Sequence, residues 1–167
     1  MQGARAAGFT LVEVMVAIVI LSIGLLGLAT LQMTGLKNNQ TAQFRSIATL
    51  QAYNMADRMR TNMAGVKAGQ YDNGTAAEHD CETSSCSAQN MAENDLYEWN
   101  QNNANFLPSG PGTVCIDSDP DPSTTACDGS GSLYVITVNW VERHHDHPDD
   151  PNDKGTVLKS FNLSFEP

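Results

Sequence analysis

The N-terminal part of the chain contains an apolar run at residues 8–31, which reads GFTLVEVMVAIVILSIGLLGLATL. Nearly every side chain from residue 11 to residue 31 is apolar or small, and the single charged residue among them is Glu13. At 1.5 Å per residue, a helix of this length reaches about 30 Å, the thickness of a bilayer core. The run therefore predicts one membrane-spanning helix.

Glu13 is unfavourable in this helix, because a carboxylate in hydrocarbon costs on the order of 2.5 to 3.5 kcal/mol at mid-bilayer and less near the headgroups. A charged residue that is kept in such a segment is usually functional. The alternative is structural, since a Glu near a helix end can reach water.

Residues 1–8 precede the apolar run and are polar or small, with one positive side chain, Arg5. In an ordinary secretory signal the apolar core comes before the cleavage site, whereas here the candidate cut lies before the apolar run. The helix would therefore survive processing. Arg5 and the amino terminus place this end in the cytoplasm by the positive-inside rule. We predict a leader at residues 1–8 and a membrane half of the helix at residues 9–35.

The helix is expected to continue as an amphipathic half over residues 36–64, because helix formers run without proline to about Met63. Gly65 and Gly69 then predict its end. Side chains that recur at intervals of three and four residues predict one packing face, formed by Phe44, Ile47, Ala48, Gln51, Met55 and Met59.

The remaining residues, 65–167, predict a small head of class α+β. Ser87 can cap a second helix that stops before Pro108, and Trp99 is its expected core anchor. The proposed inner face of this helix consists of Met91, Leu96, Trp99, Asn103 and Phe106. Alternating apolar residues predict three antiparallel strands, at residues 113–117, 133–142 and 157–165, with one sheet face buried on the amphipathic helix.

The head is strongly acidic, since residues 68–167 contain 17 acidic and three basic side chains within a chain of net charge −10. This balance argues against nucleic-acid binding, which depends on clustered Lys and Arg. The four cysteines, Cys81, Cys86, Cys115 and Cys127, allow three pairings and lack the CxxC spacing of a metal site. Two local disulfides are expected, which require an oxidising compartment.

Two weaker patterns are similar to metal sites, and no metal is expected at either. One mimics a calcium loop but has Pro122 where the turn needs Gly; it consists of Asp117, Asp119, Asp121, Ser123, Thr125 and Asp128. The other is an exposed turn containing His144, His145, His147, Asp146, Asp149, Asp150 and Asp153. No nucleophile, base and orienter set is present in the sequence, so we expect no enzymatic activity and no cofactor.

The start of the chain resembles a known family. Residues 8–14, GFTLVEV, are similar to the processing signature of type IV pilins and of type II secretion pseudopilins. Residues 20–31, ILSIGLLGLATL, and residues 95–100, DLYEWN, resemble the minor pilins of the PilV type. The resemblance implies the type IV pilin fold, in which a long N-terminal helix packs on a small antiparallel sheet.

The resemblance also implies roles for individual residues. A prepilin peptidase would cut between Gly8 and Phe9 and methylate the new amino group of Phe9, which keeps its charge. Glu13 would pair with that ammonium group on a neighbouring subunit and so set the register of assembly. Thr30 stands where major pilins usually carry a proline, which indicates a low-abundance subunit.

The two expected local disulfides are structural, with Cys81 joined to Cys86 and Cys115 joined to Cys127. Chain-entropy estimates give roughly 3 kcal/mol for the longer of these two loops and less for the shorter.

The implied function is that of a minor pilin in priming or assembly of the pilus, which could end at the fibre tip. Its partners would be other minor pilins, the major pilin, the prepilin peptidase, the inner-membrane assembly platform and the membrane, crossed once. It would sit in the inner membrane with a periplasmic head, and later in a cell-surface pilus. Two alternatives stay open: an adhesin or receptor head that uses the loop at residues 143–155, and a minor pseudopilin of type II secretion.

Overall fold

The computed structural model describes residues 8–108, 110–119, 127–143 and 155–167. The chain divides into two compact units, Met1–Thr41 and Ala42–Pro167, which are considered separately. The secondary structure elements are α1 (Leu11–Thr61), α2 (Met63–Lys67), α3 (Ala88–Phe106), β1 (Thr113–Asp117), β2 (Leu133–Arg143) and β3 (Thr156–Phe165).

Helix α1 is 51 residues long and continuous. Polar side chains in its apolar part bond to its own backbone, because the hydroxyls of Ser22, Thr30 and Thr34 each donate to the carbonyl four residues earlier, at 2.7, 3.0 and 3.1 Å. These residues therefore leave no hydroxyl proton without an acceptor in apolar surroundings. At Thr30, where a proline would interrupt the ladder, the helix continues.

The later part of α1 buries one face, as the amphipathic pattern predicted. Three members of the predicted stripe are fully buried, Ala48, Met55 and Met59. Phe44 and Ile47 pack partly against the same core. The prediction missed Ala52 and Ala56, whose small side chains are also buried and permit close approach of the neighbouring elements.

Helix α1 ends at Thr61, slightly earlier than the glycines suggested. The reason is Asn62, whose side chain accepts a hydrogen bond from the N–H of Gly65 at 3.2 Å and thereby caps the short helix α2. Gly65 lies inside α2 rather than at a helix end. Gly69 follows α2 with a φ of +72°, a backbone conformation that favours glycine.

Helix α3 begins and ends where the sequence indicated. The side chain of Ser87 accepts from the N–H of Asn90 at 3.1 Å, and the helix stops at Phe106, before Pro108. One assignment was wrong, because the Phe106 side chain is 57% exposed. The next residue, Leu107, has an extended backbone and takes the buried position instead.

Trp99 anchors α3 to its neighbours and is fully buried. Its indole N–H donates to the carbonyl of Gln51 in α1 at 2.8 Å. Gly112, just before β1, lies so close to the indole ring that an added Cβ would come 2.1 Å from the Cη2 atom. Trp99 therefore fills the space between α1 and the entry to the sheet, as expected from the sequence.

The three strands form one antiparallel sheet in the order β1-β2-β3. Thr113 pairs with Thr137 across β1 and β2, and Tyr134 pairs with Phe165 across β2 and β3. Alternate residues of β2 are buried in the core shared with α1 and α3, namely Tyr134, Ile136, Val138 and Trp140. The predicted architecture, a long N-terminal helix on a small antiparallel sheet with an additional helix, is confirmed.

Candidate assembly site at the start of the helix

Thr10 caps the start of α1. Its side-chain oxygen accepts a hydrogen bond from the N–H of Glu13 at 3.3 Å, and its carbonyl accepts from the N–H groups of Glu13 and Val14 at 3.1 and 3.3 Å. Glu13 is therefore the third helical residue after a threonine cap, the position of the acidic residue in a capping box. Sequence reasoning missed this structural possibility, although the spacing of Thr10 and Glu13 signals it.

The carboxylate of Glu13 accepts no hydrogen bond and forms no ion pair within the described residues, so the second half of the capping box is not made. Its neighbours along the same side of the helix are apolar and border a shallow hollow with it; they are Phe9, Val14, Ala17, Ile18 and Leu21. An exposed carboxylate in an apolar stripe keeps its full capacity to bind a cation from outside the chain.

Gly8 and Phe9 lie immediately before the helix. An added Cβ at Gly8 would meet no atom within 4 Å, so packing within the described residues does not require glycine there. The side chain of Phe9 is 84% exposed. Both residues are thus accessible to a second protein.

The unit Met1–Thr41 exposes the apolar surface of α1 on all sides. Leu11, Leu26 and Leu31 are 75%, 69% and 72% exposed. Within the part of the chain that the structure describes, α1 is the one helix long and apolar enough to cross a membrane, with a mean hydropathy of 2.7 over its best 18 residues. None of that window is buried in the chain itself, which agrees with anchoring in a membrane before assembly.

In the unit Ala42–Pro167, the structure pairs Cys81 with Cys86 and Cys115 with Cys127. The Cα atoms of these pairs are 5.3 and 6.0 Å apart, within the ordinary range for disulfides. The first bridge closes a loop before α3, and the second ties β1 to the segment that leads into β2.

A polar network that sequence reasoning missed joins α1, α3 and the segment after α2. The Arg58 guanidinium bonds to the Asp95 and Glu98 carboxylates at 3.1 and 2.8 Å. The Tyr71 hydroxyl donates to Asp95 at 2.6 Å and accepts from the Asn62 side chain at 3.1 Å. Arg58 is not a member of the predicted packing face of α1, and nothing in the local sequence pattern indicated its distant partners.

Burial and hydrogen bonds within this network shift the pKa values of Glu98 and Tyr71, among others. The pKa of Glu98 lies below its ordinary value, mainly because the Glu98 carboxylate accepts a hydrogen bond from Arg58. Burial, followed by the hydrogen bond to Asp95, raises the pKa of Tyr71 well above its ordinary value. Both shifts favour the forms that these groups already have at neutral pH, a protonated Tyr71 and an ionised Glu98.

The segment at residues 95–100 is explained by these contacts. Asp95 and Glu98 hold Arg58, and Trp99 holds the carbonyl of Gln51. The side-chain oxygen of Asn100 accepts from the N–H of Gly112 at 2.8 Å. Residues 95–100 therefore hold α3 against α1 and against the entry to the sheet, which is a structural role.

The two weaker patterns supply no metal site in the described residues, where no group of three or more His, Cys, Asp or Glu side chains could hold a metal ion. The Asp128 carboxylate instead accepts from the N–H groups of Ser118 and Ser130 at 3.1 and 2.8 Å. Asp121, Ser123 and Thr125 lie outside the described residues, as do residues 144–154, which contain the three histidines and most of the alternative adhesin loop.

The comparisons with known proteins agree with the site at the helix start. Residues 3–29, which include Gly8, Phe9 and Glu13, match the family model described as the prokaryotic N-terminal methylation motif. No curated protein and no solved structure matched the chain. Together with the long apolar helix on a small three-stranded sheet, the motif indicates that the chain is a type IV pilin-like or pseudopilin-like protein.

Proposed function

We propose that this chain is a minor pilin of the PilV type, which acts in priming and assembly of a type IV pilus. A prepilin peptidase removes residues 1–8 and methylates the amino group of Phe9. Before assembly, the mature chain lies in the inner membrane with its head in the periplasm. It then joins other minor pilins and the major pilin through the assembly platform and enters the surface fibre, near its tip.

The observation that carries the proposal is the Glu13 carboxylate, which has no partner in the described residues and lies on an apolar helix. Burial of such a charge among apolar helices is costly unless a cation meets it. The ammonium group of Phe9 on a neighbouring subunit is a cation at nearly the same depth. Pairing these groups disfavours neighbours in a wrong register, because a shifted neighbour leaves both charges unpaired.

The pseudopilin alternative has the same helix start, so the two assignments differ in the system that the chain serves. The resemblance of residues 95–100 to minor pilins of the PilV type favours the minor pilin, whereas the missing proline at residue 30 fits a low-abundance subunit of either system. The genes that neighbour its own distinguish a pilus operon from a secretion operon.

The decisive experiment separates ion pairing from helix capping at Glu13. In Glu13→Gln the side chain can still complete a capping box, but the charge is lost. We expect Glu13→Gln and Glu13→Ala both to insert into the membrane and to be nearly absent from sheared fibres, measured by quantitative immunoblotting. Glu166→Gln, which removes an acidic residue at the other end of the chain, is the matched control and should enter fibres normally.

Two results would contradict the proposal. Wild-type amounts of Glu13→Gln in the fibre would assign Glu13 to capping. The second result would be the finding, by mass spectrometry of the fibre-associated chain, that residues 1–8 are still attached. Phe9 would then have no free ammonium group with which Glu13 could pair.

A further inference from the structure

The two edges of the sheet differ in what covers them. At β1, the N–H of Asn73 donates to the carbonyl of Val114 at 2.9 Å. The carbonyl of Ile116 accepts from the N–H of Gly129 at 3.0 Å, and the N–H of Ile116 donates to the Asp72 carboxylate at 2.8 Å. These groups point away from β2, so the β1 edge is already occupied by the chain itself.

The opposite edge is β3, which is ten residues long. Within the described residues, the backbone groups of β3 have no hydrogen-bonding partner other than β2. In an antiparallel strand, about half of the N–H and C=O groups point away from the paired neighbour. The outer edge of β3 is therefore a row of open donors and acceptors, which is a template for a further strand.

The side chains of β3 give this edge a definite chemistry. The strand contains one charged residue, Lys159, and the outward-facing Leu158 is 64% exposed. Lys159 forms no hydrogen bond or ion pair with the described residues, although residues 68–167 contain 17 acidic side chains. On the partner strand, Lys159 pairs with the neutral Trp140. A carboxylate on an added strand would meet this lysine directly.

We propose that the outer edge of β3 is a strand-addition site for an extended segment of another protein, with a carboxylate placed opposite Lys159. A second copy of this chain fits less well, because its β3 contains no carboxylate and pairing would bring two acidic heads together. The inference depends on the sheet alone and does not require the role of Glu13, so the two proposals fail independently.

The test uses the full chain in detergent micelles and two synthetic fluorescent peptides of about nine residues, a typical length for a full strand. Both alternate threonine with valine, and one has a central glutamate where the other has lysine. We expect the glutamate peptide to bind about two- to fivefold more tightly than the lysine peptide, because cross-strand pairs of opposite charge are stabilising and pairs of like charge are destabilising. Hydrogen exchange should slow in β3 and remain unchanged in β1 when this peptide is bound.

The Lys159→Glu variant should reverse the preference between the two peptides. Lys67→Glu, which alters an exposed lysine outside the sheet, is the matched control and should leave the preference unchanged. Circular dichroism checks that both variants keep the fold. Equal affinities for the two peptides in the wild-type chain, or protection of β1 instead of β3, would overturn the proposal. If the chain formed a concentration-dependent dimer whose β3 amides were protected without peptide, the proposal of a strand from another protein would be wrong. The occupant of the β3 edge would then be a second copy of this chain.

Discussion

The earlier and later parts of α1 belong to the same helix but use their apolar side chains in opposite ways. In residues 11–41 the large apolar side chains are exposed all around the helix. In residues 42–61 burial is confined to one face, which the head covers; its buried members are Ala48, Ala52, Met55, Ala56 and Met59. The earlier part must therefore obtain its apolar surroundings from outside the chain, whereas the later part obtains them within it.

The largest expected effect separates two methionines of this helix. Met55→Ala should lower the free energy of unfolding of the head by about 2 to 5 kcal/mol, because the fully buried side chain leaves a cavity. Met33→Ala is the matched control, since Met33 is 75% exposed and should change this value little. Unfolding by denaturant in detergent can be followed by the fluorescence of Trp99 and Trp140, which are both buried in the head. Equal losses in the two variants would contradict the division of α1.

A smaller effect is expected where the later part of α1 meets the polar network. Tyr71→Phe should lower the free energy of unfolding by about 1 to 3 kcal/mol, because Asp95 and Asn62 both lose the hydroxyl that they share. Tyr53→Phe, at an exposed tyrosine of α1, is its control.

Tyr71 also predicts a pH dependence. Because its pKa is raised in the folded chain, the unfolded chain releases the proton first, and above about pH 10 the contribution of Tyr71 to stability decreases as the pH rises. Burial also raises the pKa of Tyr134, but that residue is the same in both proteins. The loss of stability at alkaline pH should therefore be shallower in Tyr71→Phe than in the wild type. Parallel pH profiles would show that the phenol does not titrate differently on folding.

The smallest effect concerns the exposed side of the same part of the helix. Arg60 pairs with Asp57 and stacks over the ring of Phe165, 5.5 Å from its centre. Arg60→Ala should therefore lower the free energy of unfolding by about 0.5 to 1 kcal/mol, as is usual for exposed ion pairs and cation–π contacts. Lys37→Ala, in the unit Met1–Thr41, serves as the control and should leave the free energy of unfolding unchanged within error. A decrease in the free energy of unfolding as large as that of Met55→Ala would mean that the outer face of α1 also contributes strongly to the stability of the head.

Much of this architecture was predictable because its signals are local. The apolar run specified the earlier part of α1, Ser87 marked the start of α3, and alternation placed β2 with its four buried apolar side chains. In each case the period of a helix or strand decides which side chains share a face, and that period is present in the residue order itself.

The remaining features are ones that the helical or strand period does not record, and some of them join residues that are far apart in the chain. Asn62 ended α1 by capping the next helix, and Leu107 replaced Phe106 in the core once the backbone became extended. Arg58 met its acidic partners 37 and 40 residues later. Periodicity cannot name such partners, because it records which face a residue is on and not what arrives there.

The order of residues alone specifies an apolar helix with one carboxylate near its start, an acidic α+β head and the N-terminal methylation motif. The fold was needed to learn that, among the described residues, Glu13 has no partner whereas Arg58 has two, and that the edge of β1 is covered whereas that of β3 is open. The physical reason is that an apolar pattern fixes how much surface must be buried, whereas the pairing of charges and strand edges requires groups from distant segments to meet at hydrogen-bonding distance.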